Sequence, residues 1–120
     1  MLKTLVRMLS FPILACGAQF AYASPVWMNG VTIKTIYPYA DGSFVLTFSS
    51  SSAACPSAQT PDKYFYVTIN TTPNGNTITQ DYSKNLLAVS LQAMALGKQV
   101  DVLFDSATSN CFVGALVLHT

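Results

Sequence analysis

The chain has 120 residues, 51% of them hydrophobic and only 9% charged, with a formal net charge of +1 and a single histidine, His119. Such a length holds one domain of the usual size, about 100–150 residues. Six Lys and Arg scattered along the chain exclude nucleic-acid binding by phosphate neutralisation, and high hydrophobicity with so little charge excludes a disordered tail.

Lys3 and Arg7 form a basic start, residues 8–15 an apolar run, and Ala21-Tyr22-Ala23 a small-x-small site ahead of Ser24. This is the layout of a secretory signal peptide over residues 1–23, cleaved after Ala23, and it predicts a secreted or periplasmic protein. Ser10 and Pro12 interrupt the apolar run, which falls well short of the ~18 continuous apolar residues of a membrane span. No stable span is therefore expected. A lipid-modified Cys16 is the competing reading, although Leu14 suits a lipobox poorly. Cleavage leaves residues 24–120 as a single domain with four lysines against five aspartates, a net charge of −1, and neither arginine nor glutamate. Its two cysteines, Cys55 and Cys111, are expected to form a disulfide, which persists in exported proteins. Two buried free thiols are the alternative.

The first extended segment begins around Val31, Ile33 and Thr35 or Ile36, and ends at Tyr37-Pro38-Tyr39 and the Asp41-Gly42 turn. Residues 43–48 read as its hairpin partner. Phe44, Leu46 and Phe48 alternate with Ser43, Val45 and Thr47, the period of two of a half-buried strand. A loop of Ser, Ala and Pro around Cys55 fills residues 49–62, long enough that a disulfide tether there would be useful. The strongest strand signal is Tyr64-Phe65-Tyr66-Val67-Thr68-Ile69-Asn70, stopped by Pro73-Asn74-Gly75.

Residues 81–96 form the only good helix, capped by Thr79 or Asp81 and ended by Gly97. Tyr82, Leu86, Val89, Ala93 and Leu96 make one apolar stripe; Leu87, Leu91 and Met94 make a second, about 140° away at a helix's ~100° per residue. The second stripe either lies under the domain's own loops or meets another subunit, and a domain this small favours the subunit. Residues 99–104 and 112–119 are the last two strands, with Asp101, Asp105, Gln99 and Leu103 on one face of the first. The resulting β-β-β-α-β-β order predicts a mainly β fold with one helix, a five-stranded OB-fold-like barrel. An open α+β sandwich fits the same order.

Catalysis is not expected. The single histidine is the penultimate residue, where chains fray, and both cysteines suit a bridge better than a nucleophile. One His and two distant Cys do not make a zinc site, so neither metal nor cofactor is predicted. Asp101 and Asp105 stand about 13 Å apart by strand rise, too far for a glycosidase pair, and read as a solvated face. Asn70-Thr71-Thr72 matches a glycosylation sequon. Binding is the better expectation: Trp27, Tyr37, Tyr39, Tyr64 and Tyr66 offer flat faces with polar edges, and Asn29 and many Ser and Thr offer neutral hydrogen bonds. That mixture suits a glycan, and it also suits ordinary β-protein packing.

The helix exit Ala93-Met94-Ala95-Leu96-Gly97-Lys98-Gln99-Val100-Asp101-Val102, the signal peptide and the strand order together resemble the receptor-binding B subunits of subtilase-cytotoxin-like bacterial toxins. Gly97-Lys98-Gln99-Val100 is the nearest local match, and the resemblance covers residues 27–118 in pattern but few positions in identity. It implies an OB-fold subunit that forms a homo-oligomer, a ring of five, binds sialylated glycans and serves a catalytic partner subunit. Asn29 stands where that family has a glycan-contacting serine before Gly-Val, and the family's longer loops and extra cysteines are missing. The expected ligand residues are Asn29, Trp27, Tyr37 and Tyr39; the expected oligomer interface is Leu87, Leu91 and Met94. A monomeric envelope protein that binds other proteins is the alternative.

Overall fold

A computed structural model describes residues 25–120. The signal peptide read over residues 1–23, and the lipidation reading of Cys16, lie outside the described residues. The described chain forms β1 (Pro25–Pro38), β2 (Phe44–Phe48), β3 (Phe65–Val67), a 3-10 turn (Pro73–Gly75), α1 (Gln80–Leu96), β4 (Gln99–Asp105) and β5 (Cys111–Leu118). The strands close into a barrel in the order β1-β2-β3-β5-β4. All pairs are antiparallel except β3 with β5. A parallel pair needs a long crossover, and the 3-10 turn, α1 and β4 together supply it. The fold is thus mainly β with one helix and has the strand order of an OB-fold.

β1 starts six residues before the expected segment. Asn29-Gly30 forms a bulge within one continuous strand. The register with β4 shifts between Met28 and Val31, Gly30 takes φ +66°, and its N–H donates to Asp101 Oδ1 at 2.8 Å. A second irregularity falls between Ile33 and Thr35. The two bends let one 14-residue strand pair with β4 through its first half and with β2 through its second.

β3 is shorter than its composition suggests, three residues in place of seven. Beyond Val67 the chain leaves the ladder: Asn70 adopts φ +68° and donates its N–H to Ile78 O, while Ile78 N–H returns to Thr71 O. β2 departs from the half-buried expectation in the other direction, with all five residues buried. Phe44, Leu46 and Phe48 enter the core; Val45 and Thr47, on the outer face, are covered as well.

Thr79 caps α1, its Oγ1 accepting from Tyr82 N–H at 3.1 Å. At the other end Gly97 takes φ +62°, and the N–H groups of Gly97 and Lys98 close on Met94 O and Ala93 O, the Schellman arrangement. The buried helix face is narrower than the expected stripe. Ser83, Leu86, Ser90 and Ala93 are buried, Tyr82 and Val89 partly so, and Leu96 is 59% exposed. Small side chains let the helix approach the barrel closely, and Ser83 Oγ donates to Gly42 O and Ser90 Oγ to Leu86 O. No helix among the described residues is long and apolar enough to cross a membrane.

Cys55 and Cys111 form the expected disulfide, with Cα atoms 5.7 Å apart and both residues buried. It fastens the β2–β3 loop to the first residue of β5. Lys63 secures the same loop, its ammonium donating to Ser52 O and Cys55 O at 3.1 and 2.6 Å.

Candidate binding face

Four register positions place one row of side chains across the outside of the barrel. Tyr37 on β1 is opposite Val45 on β2, Val45 opposite Tyr66 on β3, Tyr66 opposite Phe112 on β5, and Phe112 opposite Asp105 on β4. Cross-strand partners project to the same side of a sheet, so the row is continuous. Tyr64, two residues before Tyr66, shares its face. Ring centroids are 5.9 Å apart for Tyr37–Tyr64, 6.3 Å for Tyr64–Tyr66 and 6.4 Å for Tyr66–Phe112. The rings are tilted or edge-on to one another, with interplanar angles of 39°, 62° and 64°. This aromatic row explains why Val45 is buried on the outer face of β2. Below it Thr47 Oγ1 donates to Thr35 Oγ1 across the strands at 2.8 Å.

Two connections flank the row. Residues 39–43 turn from β1 into β2, held by Tyr39 N–H to Ser43 O at 2.7 Å and by the Asp41 carboxylate, which accepts from the Ser43 N–H and hydroxyl. Residues 106–110 join β4 to β5, where Asp105 Oδ1 accepts from Ala107 N–H. In OB-folds the strand 2–3 face and these two loops are the surface that meets ligands.

Tyr37 and Tyr39 are about half exposed, and Tyr64, Tyr66 and Phe112 partly so. Burial pushes the Tyr66 phenol above its ordinary value, and the neighbouring Tyr39 and Tyr64 phenols push it further in the same direction. Among the described residues none of the four hydroxyls on this face hydrogen-bonds within the protein, whereas the Tyr82 hydroxyl on the helix donates to Gly114 O at 2.7 Å. The face presents rings for stacking and phenols open to an external partner.

The structure divides the sequence-predicted ligand residues between two places. Tyr37 and Tyr39 lie at the aromatic row. Trp27 and Asn29 are exposed at the other end of β1, beside β4, with Trp27 ten residues from Tyr37, about 30 Å along the strand. Phe112 is the member of the row that composition alone does not reveal, because only the parallel β3–β5 pairing brings it next to Tyr66.

Near Asn29, Asp101 does more than line a solvated face. One carboxylate oxygen accepts from Gly30 N–H and the other pairs with His119 Nε2 at 2.7 Å. The penultimate histidine is thereby held to the barrel rather than frayed, and its N–H also donates to Gln99 O. The His119 hydrogen bond, followed by that from Gly30, holds the Asp101 carboxyl below its ordinary value. A carboxyl lowered in the folded state stabilises the fold above its ordinary value, and this contribution fades as pH falls through the lowered one. Urea unfolding of wild type and Asp101→Asn is thus expected to show a stability gap near neutral pH that closes below about pH 4. A gap that persists unchanged at low pH would contradict this account of Asp101.

Leu87, Leu91 and Met94 line an open groove of about 470 Å³ between α1 and the second half of β1, together with Ile36 and Pro38. Leu87 is half-buried against the core, while Leu91 and Met94 are 52% and 37% exposed. Among the described residues no group of three or more His, Cys, Asp or Glu is placed to hold a metal. Compared with known proteins, the chain matches no family model and no curated protein.

Proposed function

We propose that this protein is an exported, non-enzymatic binding module that holds a glycan against the Tyr37–Tyr64–Tyr66–Phe112 face. The observation that carries the reading is the continuous aromatic row with free phenol groups, set between the two connections that frame the ligand surface of OB-folds. Sugar rings present C–H faces that stack on aromatics and hydroxyls that pair with neutral donors and acceptors. Export is supported by the disulfide and by the signal-like residues 1–23. The binding role is supported by the pairing of both cysteines with each other, which leaves neither as a nucleophile.

A glycan array probed with residues 24–120 tests the reading. On any ligand found, Tyr66→Ala is expected to weaken binding about tenfold, the loss of one stacking partner worth about 1–1.5 kcal/mol. Tyr66→Phe should retain more of the affinity, separating stacking from hydroxyl pairing. An empty array from well-folded protein would overturn the proposal.

Self-association belongs to the same proposal, in the form of a second copy covering the α1–β1 groove. The α1–β1 groove offers a second copy an apolar side-chain face. Exposed Leu91 and Met94 provide such a face, and a net charge of −1 over residues 24–120 opposes association only weakly. Light scattering should show concentration-dependent oligomers in wild type and a monomer for Leu91→Lys/Met94→Lys. A strictly monomeric wild type at high concentration would remove the assembly and favour a monomeric envelope protein. The resemblance to toxin B subunits adds a ring of copies and a separate catalytic subunit as the natural partners in this reading.

A further inference from the structure

We infer that the ligand is an uncharged, extended glycan chain spanning several rings of the aromatic row, rather than a single terminal acidic sugar; this rests on the glycan reading proposed above. Length and charge each support it.

The four rings are joined by three contacts of 5.9, 6.3 and 6.4 Å: Tyr37 on β1 to Tyr64, Tyr64 to Tyr66 along the β3 segment, and Tyr66 across to Phe112 on β5. Each step is close to the length of one pyranose unit. A terminal monosaccharide would cover one or two rings and leave the others in water, whereas a chain of several units can reach all four.

Charge argues in the same direction. An acidic sugar is held by a cation, most effectively by the arginine fork, and residues 24–120 contain no arginine. Among the described residues, Lys34 is paired with Asp62 at 2.9 Å. Lys63 donates to two loop carbonyls. Lys84 lies on the helix and Lys98 just beyond its end, and His119 faces Asp101 at the other end of β1. Two carboxylates flank the row, Asp41 in the β1–β2 turn and Asp105 in register with Phe112, and Lys63 precedes Tyr64 with its ammonium turned to the loop carbonyls. A sialylated, sulfated or phosphorylated sugar would meet the carboxylates of Asp41 and Asp105, while the Lys63 ammonium beside Tyr64 is already engaged by Ser52 O and Cys55 O.

The test is calorimetric titration of residues 24–120 with chito-oligosaccharides and cello-oligosaccharides of two to six units, and with neutral milk oligosaccharides beside their sialylated forms. Each is run at about 50 and about 500 mM salt. Affinity is expected to rise about tenfold or more from two to four units and then level off, with little salt dependence and no gain on sialylation. Phe112→Ala and Tyr37→Ala, at the two ends of the row, should each remove the advantage of the longer chain, so that tetramer and hexamer bind no more tightly than the dimer. A monosaccharide that binds as tightly as a tetrasaccharide would overturn the inference while leaving the glycan reading standing. So would a salt-sensitive preference of about tenfold for the sialylated form. Binding of a decaproline peptide, with no saccharide bound, would overturn the inference and the glycan reading together, since extended proline helices also dock on aromatic grooves.

Discussion

Replacing Cys55 and Cys111 together with serine is expected to lower stability by about 4 kcal/mol, the loop-closure entropy of a bridge of this span. The two residues are 56 apart in sequence and completely buried. A domain of this size has about 5–15 kcal/mol in total, so the variant should be close to unfolding at 37 °C. The effect is local as well as global. Cys111 is opposite Phe65 in the parallel β3–β5 pairing and immediately precedes Phe112. Release of the loop therefore loosens the shortest strand of the barrel next to the binding row. Urea unfolding of the oxidised and reduced wild type should reproduce the same difference. Equal stability of the two forms would show that the bridge contributes nothing to the fold.

Phe65→Ala is expected to cost about 3–5 kcal/mol, as for other fully buried aromatics. Phe65 is the middle ring of an inner stack, edge-on to Phe48 at 5.1 Å and to Phe104 at 5.2 Å. These three strands, β2, β3 and β4, touch through it across the barrel interior. β3 contributes only three residues, so there is little backbone pairing to compensate for the lost ring. Phe65→Leu should recover part of the loss because it keeps an apolar body without the edge-on contacts. Retention of wild-type stability in Phe65→Ala would contradict the central position given to this ring.

Much of the architecture is legible in the sequence because local signals and tertiary contacts agree. Thr79 and Gly97 mark the helix ends, and the alternation of Val100, Val102 and Phe104 marks the inner face of β4. Where local signals mislead, a long-range contact is responsible. The run of β-branched residues starts the first strand around Val31, but Asp101, distant in sequence, captures the Gly30 N–H and the strand continues back to Pro25 through a bulge. Val45 and Thr47 alternate like surface residues, but rings from β1 and β3 cover them. The aromatic face is half legible for the same reason. Tyr37, Tyr39, Tyr64 and Tyr66 stand out in the sequence as surface candidates, whereas their union with Phe112, and the separation of Trp27 and Asn29 from them, follow only from strand order and register.

Isotope-labelled protein comprising residues 24–120, titrated with a neutral oligosaccharide and followed by amide and aromatic chemical shifts, tests the binding face most directly. Saturable shifts should concentrate on Tyr37, Tyr64, Tyr66 and Phe112 and their neighbours, and should be absent from Trp27, Asn29 and Gly30. Shifts confined to the Trp27–Gly30 end of β1, or no shifts with any sugar, would contradict the account.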